Sequence, residues 1–286
     1  MKSGWAGPVW GEPSTATDAA VPLRARAIVA DACYRADGGQ SAEFVVLAAS
    51  VAGVAHRLAG RRCEDAYGWV LPSAGRLALV VADGVSTAGR GGEGADMAVG
   101  AACAHLAAAS GAWGEMECVA ALRAASEELS GAGGQLAAEL STTMVVALVS
   151  TTARGAEVAV ARVGDSSAFV LTGAEWHELF PQRADEDLRG TVVGVLPLGG
   201  RGVGDAIETA SAALPVASAL VLLTDGVADP VRDGPSTVAP ALAEILSGGP
   251  SGALTPLALA DAADFSRRGC QDDRTVLAAW HLAARG

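Results

Sequence analysis

This chain of 286 residues has few aromatic side chains (4%), four histidines, five cysteines and no surplus of basic charge. Each shortage excludes a class of function. The cysteines (Cys33, Cys63, Cys103, Cys118, Cys270) are odd in number and scattered, with no Cys-x-x-Cys pair. They offer neither a disulfide framework nor a zinc-finger spacing, and a reducing cytosol is the simplest compartment. The histidines (His56, His105, His177, His281) lie too far apart to form a zinc motif. Acidic residues outnumber basic ones by 32 to 20, a formal net charge of -12, so a nucleic-acid partner is not expected. No basic start leads into an apolar run of signal-peptide type, and no stretch is long and apolar enough to span a bilayer. The expectation is a cytoplasmic protein with no membrane partner.

What the chain has is apolar residues, 51% of the total, enough for one large core. Strands are predicted at 43–51, 76–82, 142–149, 156–163, 167–171, 219–224 and 275–280, each a short apolar run bounded by polar or turn residues. Helices are predicted over 95–109, 117–130, 237–246 and 255–266. Residues 1–42 read as an irregular arm, and 43–286 as a single domain. The segment around 180–213 loses its pattern and reads as a flap-like insertion. The fold class expected is α+β, a two-sheet β-sandwich flanked by antiparallel helix pairs.

Acidic residues sit where these runs start or stop: Glu64-Asp65, Asp83-Gly84 after Val-Val-Ala, Asp165 in Gly-Asp-Ser, Asp225-Gly226 after Leu-Leu-Thr, and Asp272-Asp273 before the last run. A lone Asp-Gly is usually only a turn. Two near-matching strand-to-turn units followed by Asp-Asp-x-Thr are more telling, because strands can deliver such carboxylates to one end of a sheet. Oxygen ligands of this kind suit Mg²⁺ and Mn²⁺, and a two-ion site of that chemistry promotes phosphoryl hydrolysis.

The ordered set Glu-Asp, Ala-Asp-Gly-Val, Ser-Thr-Thr, Val-Gly-Asp-Ser, Thr-Asp-Gly-Val and Asp-Asp-x-Thr resembles the metal-dependent Ser/Thr protein phosphatases of type 2C, over roughly residues 45–280. The resemblance implies hydrolysis of phosphoserine and phosphothreonine by metal-activated water, with two Mn²⁺ or Mg²⁺ ions. It implies a phosphorylated protein as partner, a Ser/Thr kinase or its targets. By the same resemblance Asp65, Asp225 and Asp272 hold one ion, Asp83 bridges the pair, and the Gly84 carbonyl joins the second. Asp165 matches a ligand of a weaker third ion, and Glu64 an acidic position acting through water.

One departure stands out. The family's phosphate-holding arginine is expected five positions before Asp65, where this chain has Gly60. Arg61, Arg62 and His56 are the candidates to orient phosphate in its place, and His56 is also the candidate proton donor. Two other functions stay open on sequence grounds: a non-catalytic relative that binds phosphoproteins, and a phosphatase of a small phosphorylated metabolite.

Overall fold

Apolar runs with both faces buried need cover on both sides, and the chain supplies it with two sheets and two helical layers. The computed structural model describes residues 29–30, 33–153, 155–180, 194–198, 206–234, 238–249 and 254–282. One sheet contains β1 (Val29–Ala30), β2 (Tyr34–Gln40), β3 (Phe44–Val51), β8 (Ser167–Thr172), β9 (Glu175–Glu178), β11 (Ala219–Leu223) and β12 (Arg274–His281). Their spatial order is β1-β2-β3-β12-β11-β8-β9. The other sheet contains β4 (Asp65–Ser73), β5 (Arg76–Gly84), β6 (Thr142–Thr152), β7 (Gly155–Val163) and β10 (Glu208–Leu214), in the order β10-β7-β6-β5-β4. The pairings within both sheets are antiparallel.

Period-two alternation splits each apolar strand between two cores. On β3, Phe44, Val46 and Ala48 enter the layer between the sheets, while Val45, Leu47 and Ala49 face the helices. On β5, Leu77, Leu79 and Val81 face the opposite sheet, while Ala78, Val80 and Ala82 face α2 (Gly91–Ala108) in a core completed by α3 (Glu115–Gly131). The remaining helices are α1 (Val54–Leu58), α4 (Gly134–Glu139), α5 (Asp225–Arg232), α6 (Val238–Ser247) and α7 (Pro256–Ala263). Of these, α5, α6 and α7 cover the outer face of the seven-stranded sheet. The α+β sandwich flanked by helices agrees with the sequence reading.

Several segments differ from it, including the unpredicted Val54–Leu58, Gly134–Glu139 and Glu175–Glu178. Tyr34–Gln40, placed in the irregular arm, is a full strand on β3; its Gly38-Gly39 pair hid the pattern. Asp65–Ser73 is a strand despite beginning on a buried charge. Glu208–Leu214, placed in the flap, is an edge strand on β7 whose alternation is carried by small residues. Asp225–Arg232, read as a turn, is helical with Pro230 inside it. Residues 1–28, 181–193 and 199–205 lie outside the described residues, and with them most of the expected arm and flap.

Helix α2 lies so close to residue 140 that a Cβ added to Gly94 would stand 1.8 Å from the Leu140 carbonyl oxygen. Helix propensity alone favours alanine there by about 1 kcal/mol. Overlap with a backbone atom outweighs that gain. Gly94→Ala is expected to lower stability by about 1–3 kcal/mol, read as a lower urea midpoint. A raised midpoint would contradict this packing.

Candidate metal centre

Register brings the acidic residues together. Asp65 opens β4 and Asp83 lies near the end of β5, and the two are direct cross-strand partners. In the other sheet β11 ends at Leu223, opposite Ser167 at the start of β8 and close to Val276 near the start of β12. Asp165, Asp225 and Asp272 stand just beyond those three strand ends. All therefore gather at one end of the sandwich.

Carboxylate oxygens of Asp83, Asp165 and Asp225 lie within 4.8 Å of one another. Asp65 sits beside this group, 2% exposed, with its Oδ2 accepting hydrogen bonds from Thr224 Oγ1 (2.9 Å) and Thr275 Oγ1 (2.8 Å). These two threonines orient the carboxylate, and its Oδ1 is left without a partner. The Thr142 hydroxyl donates to the Asp83 carbonyl at 2.7 Å, and Thr143 shares a 3.0 Å hydrogen bond with Ser166, so both are tied to the site's frame. A Cβ on Gly84 would come within 2.3 Å of Gly91, which shows how closely the start of α2 backs the site. Gly91 and Gly92 thus provide close packing behind Gly84.

The electrostatics are unfavourable for carboxylates alone. Burial, with Asp273 and Asp225 nearby, holds Asp65 well above the ordinary carboxylate range. Asp83 is driven the same way by burial and by Asp65, Asp225 and Asp272. Asp225 is pushed up to about 6 by burial, with Asp165 and Asp272 adding to it, and Asp165 is raised chiefly by burial. Buried oxygens of Asp65, Asp165, Asp225 and Glu64 have no hydrogen-bond partner. Buried polar atoms are rarely left unpaired without a reason. An all-oxygen set of mutually repelling, unpartnered carboxylates fits hard divalent cations, which neutralise the charge and fill the missing contacts.

The remaining sequence candidates occupy one flank. Glu64 is buried, and Arg61 reaches its Oε1. Arg62 turns instead to Asp96 on α2, at 3.3 Å. His56, buried on α1, has Nε2 at 3.8 Å from Glu64 Oε2. Asp272 is exposed at the rim, whereas Asp273, 2% exposed, turns inward to accept from Gly53 N (2.6 Å), Glu64 N (2.5 Å) and His56 Nδ1 (2.9 Å). Sequence reasoning missed the part played by Asp273, Thr224 and Thr275. The available signal was their place inside or next to the motifs. Cys63, two residues from Asp65, is buried against Ser50, and burial pushes its thiol well up, away from the reactive thiolate.

Residues 52–249 match the family model described as Protein phosphatase 2C, and the chain belongs to that family. No curated protein matches it. Among solved structures it resembles the Mycobacterium tuberculosis serine/threonine phosphatase PstP/Ppp, at 19% identity and a TM-score of 0.55, over 83% of this chain and 98% of that one. The PstP catalytic domain in complex with two manganese ions aligns at 18% identity and a TM-score of 0.56, over 84% of this chain and 99% of that one. The S. agalactiae serine/threonine phosphatase gives 17% and 0.54, over 83% and 99%. These likenesses show the shared fold.

The raised carboxyl groups predict an unusual pH dependence without metal. A group whose folded pKa exceeds its unfolded value binds more protons in the native state, so its stabilising contribution is present at low pH and lost as pH rises through the folded pKa. For Asp225 the window runs from about 4 to about 6, and Asp65 and Asp83 extend it upward. Asp37, remote in β2 and also pushed to about 6 by burial, acts in the same direction. Scanning calorimetry in EDTA should give a lower Tm at pH 7.5 than at pH 5, and Mn²⁺ at pH 7.5 should recover the difference. An equal or higher metal-free Tm at pH 7.5 would contradict the electrostatic reading.

Proposed function

We propose that this member of the protein phosphatase 2C family hydrolyses phosphoserine and phosphothreonine in protein substrates, with two Mn²⁺ or Mg²⁺ ions as cofactors. Asp65, Asp83, Asp225, Asp272 and the Gly84 carbonyl would hold the two ions, and Asp165 a weaker third. When bound, the ions supply an activated water and positive charge against the phosphoryl oxygens. The observation that carries this reading is the trio Asp83, Asp165 and Asp225, converging within 4.8 Å with unpartnered buried oxygens at Asp165 and Asp225. The pairing of this acidic set with a protein-phosphatase fold favours catalysis over a purely phosphoprotein-binding role.

The chain's own residues divide the work. Thr224 and Thr275 hold the Asp65 carboxylate in one orientation. Asp273 ties α1 to the Glu64 backbone, which sets Glu64 and His56 at the edge of the acidic group. Glu64, with Oε2 unpartnered, is placed to accept a hydrogen bond from a water there. Of the two arginines, Arg61 pairs with Glu64 and Arg62 with Asp96. Among the described residues no helix is long and apolar enough to cross a membrane. The proposed site of action is the cytoplasm, and the proposed substrates are phosphoproteins, a Ser/Thr kinase or its targets.

Turnover of p-nitrophenyl phosphate and of a phosphoserine peptide with Mn²⁺ tests the activity, and comparing the two against phosphorylated metabolites tests the substrate class. Asp83→Asn and Asp225→Asn are each expected to abolish metal-dependent turnover while leaving the circular dichroism spectrum unchanged. Full activity in either variant would remove the two-ion assignment. Asp165→Ala is expected to behave differently, raising the Mn²⁺ concentration needed for activity while keeping two tight sites in isothermal titration. Loss of both tight sites would place Asp165 among the principal ligands instead.

A further inference from the structure

The arginines around α1 are already engaged. Arg57 forms paired 2.9 Å hydrogen bonds to Asp264 and another to Tyr34; Arg61 meets Glu64, Arg62 meets Asp96, and Arg90 meets Glu93. With glycine at position 60, none of these guanidinium groups is committed to an incoming phosphate. A different chain of groups reaches the site from the interior. The Asp273 carboxylate is acceptor-only when ionised and lies 2.9 Å from His56 Nδ1 through both oxygens. This fixes the ring so that Nε2 lies 3.4 Å from Ser86 Oγ and 3.8 Å from Glu64 Oε2. Ser86 is exposed, two residues beyond Gly84, in a single 3₁₀ turn over Ser86–Ala88. The Val85 N–H to Ser141 carbonyl bond (3.0 Å) and the Ala88 N–H to Val85 carbonyl bond (2.9 Å) anchor that turn.

We propose that Ser86 is a substrate-contacting residue of the phosphoryl site, donating its hydroxyl to a phosphoryl oxygen, and that His56 and Asp273 position it. The inference rests on the phosphatase reading. A neutral donor suits this place, because the hydroxyl can turn between Nε2 and an arriving anion without disturbing any ion pair. The sequence Asp273, His56, Ser86 runs from a carboxylate 2% exposed, through a ring 7% exposed, to an exposed oxygen beside Asp83-Gly84. It keeps a hydroxyl at the rim beside Asp83-Gly84 that rests on Nε2 and can leave it to donate to a phosphoryl oxygen.

The test uses the full chain loaded with Mn²⁺ and inorganic phosphate as the probe. Phosphate inhibition, a readout independent of leaving group, is measured beside KM for p-nitrophenyl phosphate and for a phosphoserine peptide. Ser86→Ala, an exposed change that should not disturb folding, is expected to weaken phosphate inhibition and to raise both KM values roughly tenfold, the scale of one hydrogen bond to a charged group. Mn²⁺ titration should be unchanged, and Ser86→Thr should restore phosphate binding. His56→Gln should produce the same loss, and Ser86→Ala combined with it should lose nothing further, because the two act as one unit. An active Ser86→Ala variant with wild-type phosphate inhibition and KM would overturn the proposal, as would additive losses in the double variant. If His56→Gln does not fold, the Ser86→Ala and Ser86→Thr pair decides alone. A wild-type chain that neither turns over phosphomonoesters nor binds phosphate would instead overturn the phosphatase reading, and this inference with it.

Discussion

Everything at the functional end of this molecule follows from burying like charges together. Asp65 and Asp83 are paired across two neighbouring strands, an arrangement that is unfavourable for two ionised carboxylates. Asp225 and Asp165 then arrive from the facing sheet. Two ionised carboxylates at that separation, in surroundings that exclude most water, repel strongly enough that they must share protons or bind cations. Folding supplies the cost of assembling them, because the strands that carry them are driven together by apolar burial on both faces. The central layer, with Leu77, Leu79, Val81, Val145, Ala147, Leu220 and Leu222, holds the two sheets in register, and the acidic end inherits that rigidity.

The supporting groups are short side chains brought in from distant parts of the chain. Threonine hydroxyls from positions 224 and 275 take one oxygen of Asp65, so the other stays open. Asp273 spends its charge on two backbone N–H groups and the His56 ring. That division separates adjacent carboxylates by role: Asp272 at the rim contributes charge to Asp83 and Asp225, and Asp273 organises the α1 edge. The centre is therefore stiff on the Asp273 side, while the rim carries the exposed Asp272 and Ser86.

Much of this was legible in the sequence because it depends on order and alternation. Apolar runs such as Phe44–Val51 and Ala219–Leu223 read correctly as strands buried on both faces, and the acidic residues at ends such as that of Ala219–Leu223 pointed to a metal-dependent family. Tyr34–Gln40 and Glu208–Leu214 were missed because Gly38-Gly39 and a Thr-Ala-Ser-Ala-Ala run carry little hydrophobic signal; tertiary pairing makes them strands. The α5 helix was missed because Asp-Gly is a turn pair in most settings and Pro230 follows soon after. Asp273 and Ser86 could not be assigned from sequence, since their partners lie as far away as Gly53 and His56 and only the closed sandwich brings them together.

The central claim is that the acidic end is a cation site whose carboxylates, when metal-free, hold protons above the ordinary range. Isothermal titration of Mn²⁺ into the metal-free chain at pH 6.5, repeated in buffers of different ionisation enthalpy, measures ions bound and protons released together. The account predicts two tight ions per chain and an observed enthalpy that changes with buffer, because cations displace protons shared among Asp65, Asp83 and Asp225. Absence of tight binding, or tight binding with no dependence on buffer, would contradict it.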